Sequence, residues 1–104
     1  MGKFEIKDGK AIIPEGTTVI PQWEFRGRED LYEVTLPEGL AEIKGGAFKN
    51  CVNLKSIHIP ASVKKIGSTP FEGGSGLVSI TVDENNTCYD SREGCNAIIY
   101  DISV

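Results

Sequence analysis

Few residues of this 104-residue chain are capable of nucleophilic or metal chemistry: one histidine, His58, and three cysteines, Cys51, Cys88 and Cys95. A catalytic thiol needs a neighbouring base. The pattern places Cys51 toward the core and His58 outward from a strand, so we do not expect them to act as a pair. One histidine and no C-x-x-C spacing do not make a zinc site. The sequence therefore predicts no catalytic residue, no metal and no cofactor.

Two polar stretches resemble ligand-binding loops only superficially. The stretch "DENN" (83–86) has oxygen ligands but lacks the alternating acidic spacing of a calcium loop, which favours a capping turn. The stretch "EGGSG" (72–76) lacks the G-K-[ST] ending of a phosphate-binding loop. A hydrolase using acidic residues is a remote alternative, because their spacing is also that of solvated turns. Those residues are Asp83, Glu84, Asp90 and Glu93.

The composition limits the class of partner. A formal net charge of -4 and scattered basic residues argue against nucleic acid, whose backbone attracts clustered Lys and Arg. No apolar run approaches the roughly 20 residues of a membrane-spanning helix, so membrane insertion is not expected. The stretch "MGKFEIKDGK" (1–10) has no apolar segment typical of a signal peptide, which keeps a cytoplasmic location open.

The stretches "VTLPEGLAEIKGGAF" (34–48) and "IHIPASVKKIGSTPF" (57–71) carry the same apolar pattern 23 residues apart. A period of this length is typical of repeat proteins, in which each unit buries its apolar side against its neighbours. The aligned columns are Ile13, Leu36, Ile59 and Val82; Ile20, Ile43 and Ile66; Phe25, Phe48 and Phe71; Leu31, Leu54 and Leu77; and Val34, Ile57 and Ile80.

Each repeat is predicted to contain one short strand and one tight turn. "LKSIHI" (54–59) alternates apolar and polar residues, as a half-buried strand does. "GGAFKNCVNL" (45–54) is short and glycine-rich, which favours a single turn of α or 3₁₀ helix that carries Phe48 inward. The strands of successive repeats are expected to pair in parallel.

The chain is predicted to form a single domain with a cap at each end. Asp8-Gly9 between alternating stretches predicts an N-terminal hairpin cap over residues 1–12. Residues 13–81 form three repeats: the first repeat (13–35), the second repeat (36–58) and the third repeat (59–81). Residues 82–104 depart from the period and are interpreted as a C-terminal cap.

The repeat "L..I.IP..V..IG...F..C..L..I" resembles the bacterial leucine-rich repeat of BspA-like proteins. The matching residues are Leu54, Ile57, Ile59, Pro60, Val63, Ile66, Gly67, Phe71, Leu77 and Ile80 in one repeat, and Leu31, Val34, Leu36, Pro37, Leu40, Ile43, Ala47, Phe48, Cys51, Leu54 and Ile57 in the one before. The stretch "YDSREGCNAII" (89–99) is similar to a segment that interrupts such repeats in proteins of gut bacteria. The sequence departs from the pattern where Arg28 and Gly74 replace the cysteine and Pro70 replaces the alanine.

The resemblance implies a leucine-rich-repeat solenoid, a right-handed superhelix with short parallel strands on its concave face and turns or short helices on its convex face. It also implies a secreted or cell-surface protein that binds a protein or glycan partner, such as a host protein, without enzymatic activity. Cys88 and Cys95 lie seven residues apart and could form a disulfide, but the total of three is odd. The resemblance makes Cys95 buried and unpaired, and the question stays open.

The exposed face of the predicted strands is the candidate binding surface. Small polar residues on a rigid sheet suit recognition, and they also suit a merely solvated face. The alternative role is a structural spacer or a self-associating repeat unit of a larger surface protein. The chain itself is expected to be a monomer or to self-associate weakly. Trp23 is interpreted as a cover for the N-terminal end or, alternatively, a ligand platform. The candidate contact residues are Tyr32, Glu33, Thr35, Lys55, Ser56, His58, Ser79 and Thr81.

Overall fold

The computed structural model describes residues 4–86, and eight short strands lie within that range. They are β1 (Glu5–Lys7), β2 (Lys10–Ile12), β3 (Val19–Ile20), β4 (Glu33–Val34), β5 (Glu42–Ile43), β6 (Ser56–Ile59), β7 (Lys65–Ile66) and β8 (Ser79–Val82). The strands form three small sheets, with the orders β1-β2-β4, β3-β5-β7 and β6-β8. None of the described residues belongs to a helix with the length and hydropathy needed to cross a bilayer.

The predicted N-terminal hairpin is present. β1 and β2 pair antiparallel with Lys7 opposite Lys10, which leaves Asp8 and Gly9 as a two-residue loop. Both loop residues have positive φ, 53° and 82°, as the tight hairpin turn requires. The hairpin covers one edge of β2, and β4 pairs in parallel with the other.

The parallel pairs keep the predicted spacing. Ser56 lies opposite Ser79 and Ile59 opposite Val82 in the β6–β8 pair, and Glu42 lies opposite Lys65 in the β5–β7 pair. A residue therefore faces its counterpart in the next repeat, and equivalent side chains form continuous rows. This register is what turns the apolar columns of the sequence into a core.

The prediction of a helical turn around Phe48 is wrong, because this segment and the equivalent segments of the other two repeats form non-helical turns. We name residues 22–27, 45–50 and 68–73 the turn side. Gly46 has a φ of 64°, outside the helical region, because the chain reverses there. The N–H of Phe25 donates to Ala47 O and that of Phe48 to Pro70 O, each at 2.8 Å. Bonds between repeats therefore alternate with local bonds between residues three apart, such as that from Lys49 N–H to Gly46 O at 3.0 Å.

A second row of strands was not predicted from the sequence. β3, β5 and β7 pair in parallel between the turns, and each is only two residues long. Their inward residues are the column Ile20, Ile43 and Ile66, of which the first two are fully buried. The second and third repeats therefore pair twice, through β5–β7 and β6–β8, whereas the described strands of the first and second repeats pair only through β3–β5.

Aromatic rings form the largest row of the core. Phe25 and Phe48 stack with centroids 5.3 Å apart, and Phe48 and Phe71 stack at 5.5 Å. Phe4, from the segment before β1, continues the row at 6.2 Å from Phe25, and its N–H donates to Glu24 Oε2 at 2.6 Å. The hairpin end therefore supplies the ring that a preceding repeat would otherwise supply.

Phe48 is the central ring of this row, and its truncation is expected to be severe. Phe48→Ala should lower the free energy of unfolding by about 3–5 kcal/mol, because it leaves a cavity between two stacked rings. Phe4→Ala, at the half-buried end of the row, is the matched control and should cost less than half as much. Urea unfolding followed by circular dichroism measures both, and equal losses would contradict the central role of Phe48.

Candidate binding surface

The outward side chains of β2, β4, β6 and β8, with those next to them in the chain, form a surface that we name the strand face. In β6 and β8 exposed and buried residues alternate strictly, so Ser56, His58, Ser79 and Thr81 point to solvent while the residues between them enter the core. Glu33 is the exposed residue of β4. Tyr32, Thr35 and Lys55 are also exposed and lie beside the strands. All eight predicted residues are therefore exposed, and the five that belong to strands are the outward residues of those strands.

The register places several of these residues in direct pairs. Ser56 lies opposite Ser79 and His58 opposite Thr81. His58 Nδ1 and Thr81 Oγ1 share a hydrogen bond of 2.8 Å, whose direction follows the imidazole tautomer. This bond fixes the ring plane of His58, so the imidazole is oriented before any partner arrives.

Tyr32 is held in place by the hairpin. The N–H groups of Tyr32 and Glu33 both donate to Gly9 O, at 2.8 and 2.9 Å. The ring of Tyr32 lies over Gly9, where an added Cβ would sit 3.2 Å from Tyr32 Cδ1. The absence of a side chain at Gly9 therefore lets the ring lie flat on the strand face, with 53% of Tyr32 still exposed.

Lys10 and Ile12 were not predicted to belong to this surface, and Val78 was predicted beside it but not as a contact residue. Lys10 lies opposite Glu33 in the β2–β4 pair, and Ile12 follows on the same side of β2. Val78 precedes β8 and is 83% exposed, a high value for an apolar side chain. Lys10 precedes Glu33 by one period of 23 residues, which places it in the same exposed row. This relation was not used, because residues 1–12 were assigned to a cap.

The strand face consists of two paired halves rather than one continuous ladder. β4 and β6 are neighbours, yet they belong to different sheets. In the loops before them, Asn53 Nδ2 donates to Glu29 O at 2.8 Å and joins the two repeats. Nearby, Arg28 pairs with Asp30 at 2.8 Å, and this hydrogen bond holds the pKa of the Asp30 carboxyl below its usual value.

Comparison with protein families gives one clear match. The family model described as the BspA type leucine rich repeat region matches residues 5–102 in six copies. The chain belongs to the BspA-type leucine-rich repeat family. The match also extends over residues 87–102, beyond the described range.

Comparison with solved structures supports the same family. A leucine rich cell surface protein from Faecalibacterium prausnitzii A2-165 has a TM-score of 0.73 and 34% sequence identity to this chain. The similarity covers 79% of this chain and 21% of that protein, so the leucine-rich repeats described here span about a fifth of its length. No curated protein shows significant similarity to the chain.

Cys51 occupies the small, buried position of the leucine-rich repeat. Its thiol is almost inaccessible and donates to Phe25 O at 3.0 Å. Burial raises the pKa of the Cys51 thiol to about 11, so the thiolate that a nucleophile needs is scarce at neutral pH. The exposed His58 bonds Thr81 instead, and the sequence-based expectation that these two residues do not form a reactive pair agrees with their geometry.

The polar stretch 83–86, just after the third repeat, forms a turn that closes the core. Asp83 Oδ1 accepts the N–H of Asn85 at 2.8 Å. Asn86 stands where earlier repeats have Leu40 and Val63, and its Nδ2 donates to Pro60 O and Val63 O at 2.9 and 3.0 Å. Within residues 4–86 no three His, Cys, Asp or Glu side chains converge on a metal position. Cys88, Asp90, Glu93 and Cys95 lie outside the described residues.

The raised pKa of Cys51 predicts a thiol that resists alkylation. In a Cys88→Ser/Cys95→Ser variant, Cys51 should react with iodoacetamide at pH 8 at least about tenfold more slowly in the folded chain than in urea. Mass spectrometry of timed samples measures both rates, and equal rates would contradict the burial. Because the folded pKa of about 11 exceeds the ordinary thiol pKa of about 9.0, this thiol favours folding fully below pH 9, and that contribution is lost as the pH rises toward 11.

Proposed function

We propose that this chain is a non-enzymatic binding module that recognises a protein or glycan through its strand face. The observation that carries the proposal is the set of eight exposed side chains on and beside strands whose alternate residues are buried in the core. A surface of this kind loses little conformational freedom on binding, because its backbone is already ordered. The family match and the cell-surface neighbour support the same role.

The repeats are proposed to wind as a right-handed solenoid with the strand face on its concave side. The constant spacing between paired strands supports this arrangement. Neighbouring strands lie about 4.8 Å apart, so four of them span only about 15 Å. One such surface is small compared with a stable protein interface. A parent protein with more repeats, or several copies, would raise the apparent affinity through multivalency.

The location of the protein is proposed to be extracellular or at the cell surface. This proposal comes from the cell-surface protein whose structure the chain resembles at 34% identity. The strand face also has a mixed character, because the charged Lys10, Glu33 and Lys55 lie with the apolar Ile12 and Val78. Mixed surfaces with a few exposed apolar side chains are typical of transient recognition sites.

The self-associating spacer remains a second candidate, and the turn side favours it. The N–H groups of Phe25 and Phe48 donate to the following repeat. The equivalent N–H of Phe71, with those of Thr69 and Gly73, finds no acceptor within residues 4–86. Such a row of donors can pair with another chain. Multi-angle light scattering of the whole chain tests this: a growing mass at increasing concentration supports the spacer, and a constant monomer contradicts it.

The binding proposal is tested with a matched pair of triple variants. Glu33→Ala/Ser56→Ala/His58→Ala removes the centre of the strand face and should weaken binding at least about tenfold, since central residues dominate interface energy. The control, Lys44→Ala/Lys65→Ala/Ser68→Ala, changes three exposed residues off the strand face and should bind normally. The tetramerised chain is applied to arrays of defined glycans and of purified extracellular proteins. Equal binding by both variants would refute the site, provided that circular dichroism shows both to be folded.

A further inference from the structure

Trp23, the single tryptophan of the chain, lies on the turn side, away from the strand face. It is 54% exposed, and its backbone has a φ of 61°, which is unusual for a bulky residue. The edge of the indole rests against Gly46, where an added Cβ would overlap the ring. Trp23 therefore covers the following repeat and not the N-terminal end, and it leaves much of the ring accessible to solvent.

Arg26 lies over this ring in a cation–π contact and has no carboxylate partner within residues 4–86. Its guanidinium is 5.3 Å from the centroid of the Trp23 ring. At the equivalent positions of the next two repeats, Lys49 and Glu72 form an ion pair of 3.1 Å. Within residues 4–86 no carboxylate pairs with Arg26. The exposed charge is therefore available for an anion from outside the chain.

We propose that Trp23 and Arg26 form a second binding site, for a saccharide that carries a carboxylate. The apolar C–H face of a pyranose ring stacks on the exposed indole, and the guanidinium donates two parallel hydrogen bonds to the carboxylate. Arg suits this task better than Lys, because its planar fork matches both oxygen atoms and also stacks on the ring. The site does not depend on the strand face.

The surroundings of Trp23 favour a sugar over an acidic peptide. The next two repeats have Gly46 and Thr69 at the equivalent positions, so the indole is an isolated flat platform. A peptide anchor binds tightly where apolar side chains enclose it. A pyranose needs only an exposed aromatic surface and a neighbouring polar group; Trp23 is 54% exposed, and the Arg26 guanidinium lies 5.3 Å from the centroid of its ring.

The test uses the fluorescence of Trp23, which reports on this site alone because the chain has no other tryptophan. Tetragalacturonic acid should change the emission in a saturable manner, and its fully methyl-esterified form should bind about tenfold more weakly because the charge is lost. Arg26→Gln should cause the same loss. Lys65→Gln, which removes one exposed cation outside both proposed sites, is the control and should bind normally.

Other results of this experiment would show whether the choice of a sugar or the site itself is wrong. A tetraglutamate peptide that binds as tightly as the oligosaccharide would overturn the choice of a sugar. Absence of saturable change up to millimolar tetragalacturonic acid, or equal binding of the ester, would overturn the site. Trp23→Gly, which suits the positive φ, should fold and show no binding by calorimetry. The Glu33/Ser56/His58 variant should bind this sugar normally, so failure of either proposed site is distinguishable from failure of the other.

Discussion

The constant register between neighbouring repeats is the constraint on which the rest of the structure depends. Glu42 faces Lys65 and Ser56 faces Ser79, so the backbone of every repeat must place its donors and acceptors at the same heights. The turns meet this demand with left-handed residues at equivalent places, and Trp23, Gly46 and Thr69 have φ values of 61°, 64° and 45°. The register fixes both the core rows and the exposed rows, because side chains alternate along each strand.

The period of the sequence was sufficient to predict the core but not every element that surrounds it. Phe25, Phe48 and Phe71 were predicted to align, and they stack in one row. The short strands β3, β5 and β7 were missed because two residues are too few to show an alternating pattern. The helical turn was expected because turn residues with positive φ cannot be told from helix formers by periodicity alone. Hydrogen bonds between repeats decide that choice, and they connect residues far apart in the sequence.

The strand face was predicted in outline for the same reason. Alternation placed Ser56, His58, Ser79 and Thr81 outward, and the structure has all four exposed. The contribution of β2 was not foreseen, because the hairpin joins the parallel row only through its second strand. The pair Trp23–Arg26 was equally hidden, since the distance between an indole and a guanidinium follows from the turn geometry and not from a repeated pattern. Sequence columns reveal what repeats share, whereas features of a single repeat need coordinates.

Pro70 shows how freely such a chain can vary. A proline lacks the N–H group, yet Phe48 still donates to its carbonyl at 2.8 Å, because the bonds on the turn side run from an earlier repeat to a later one. The backbone bond between repeats at this position uses the carbonyl and not the N–H group, so a proline fits where the earlier repeats have Glu24 and Ala47. The backbone bonds of the turn side also repeat after one whole unit, so inserting or deleting a complete unit would join turn surfaces that already match. Proteins built in this way can change their reach during evolution in steps of one unit, without redesigning a single interface.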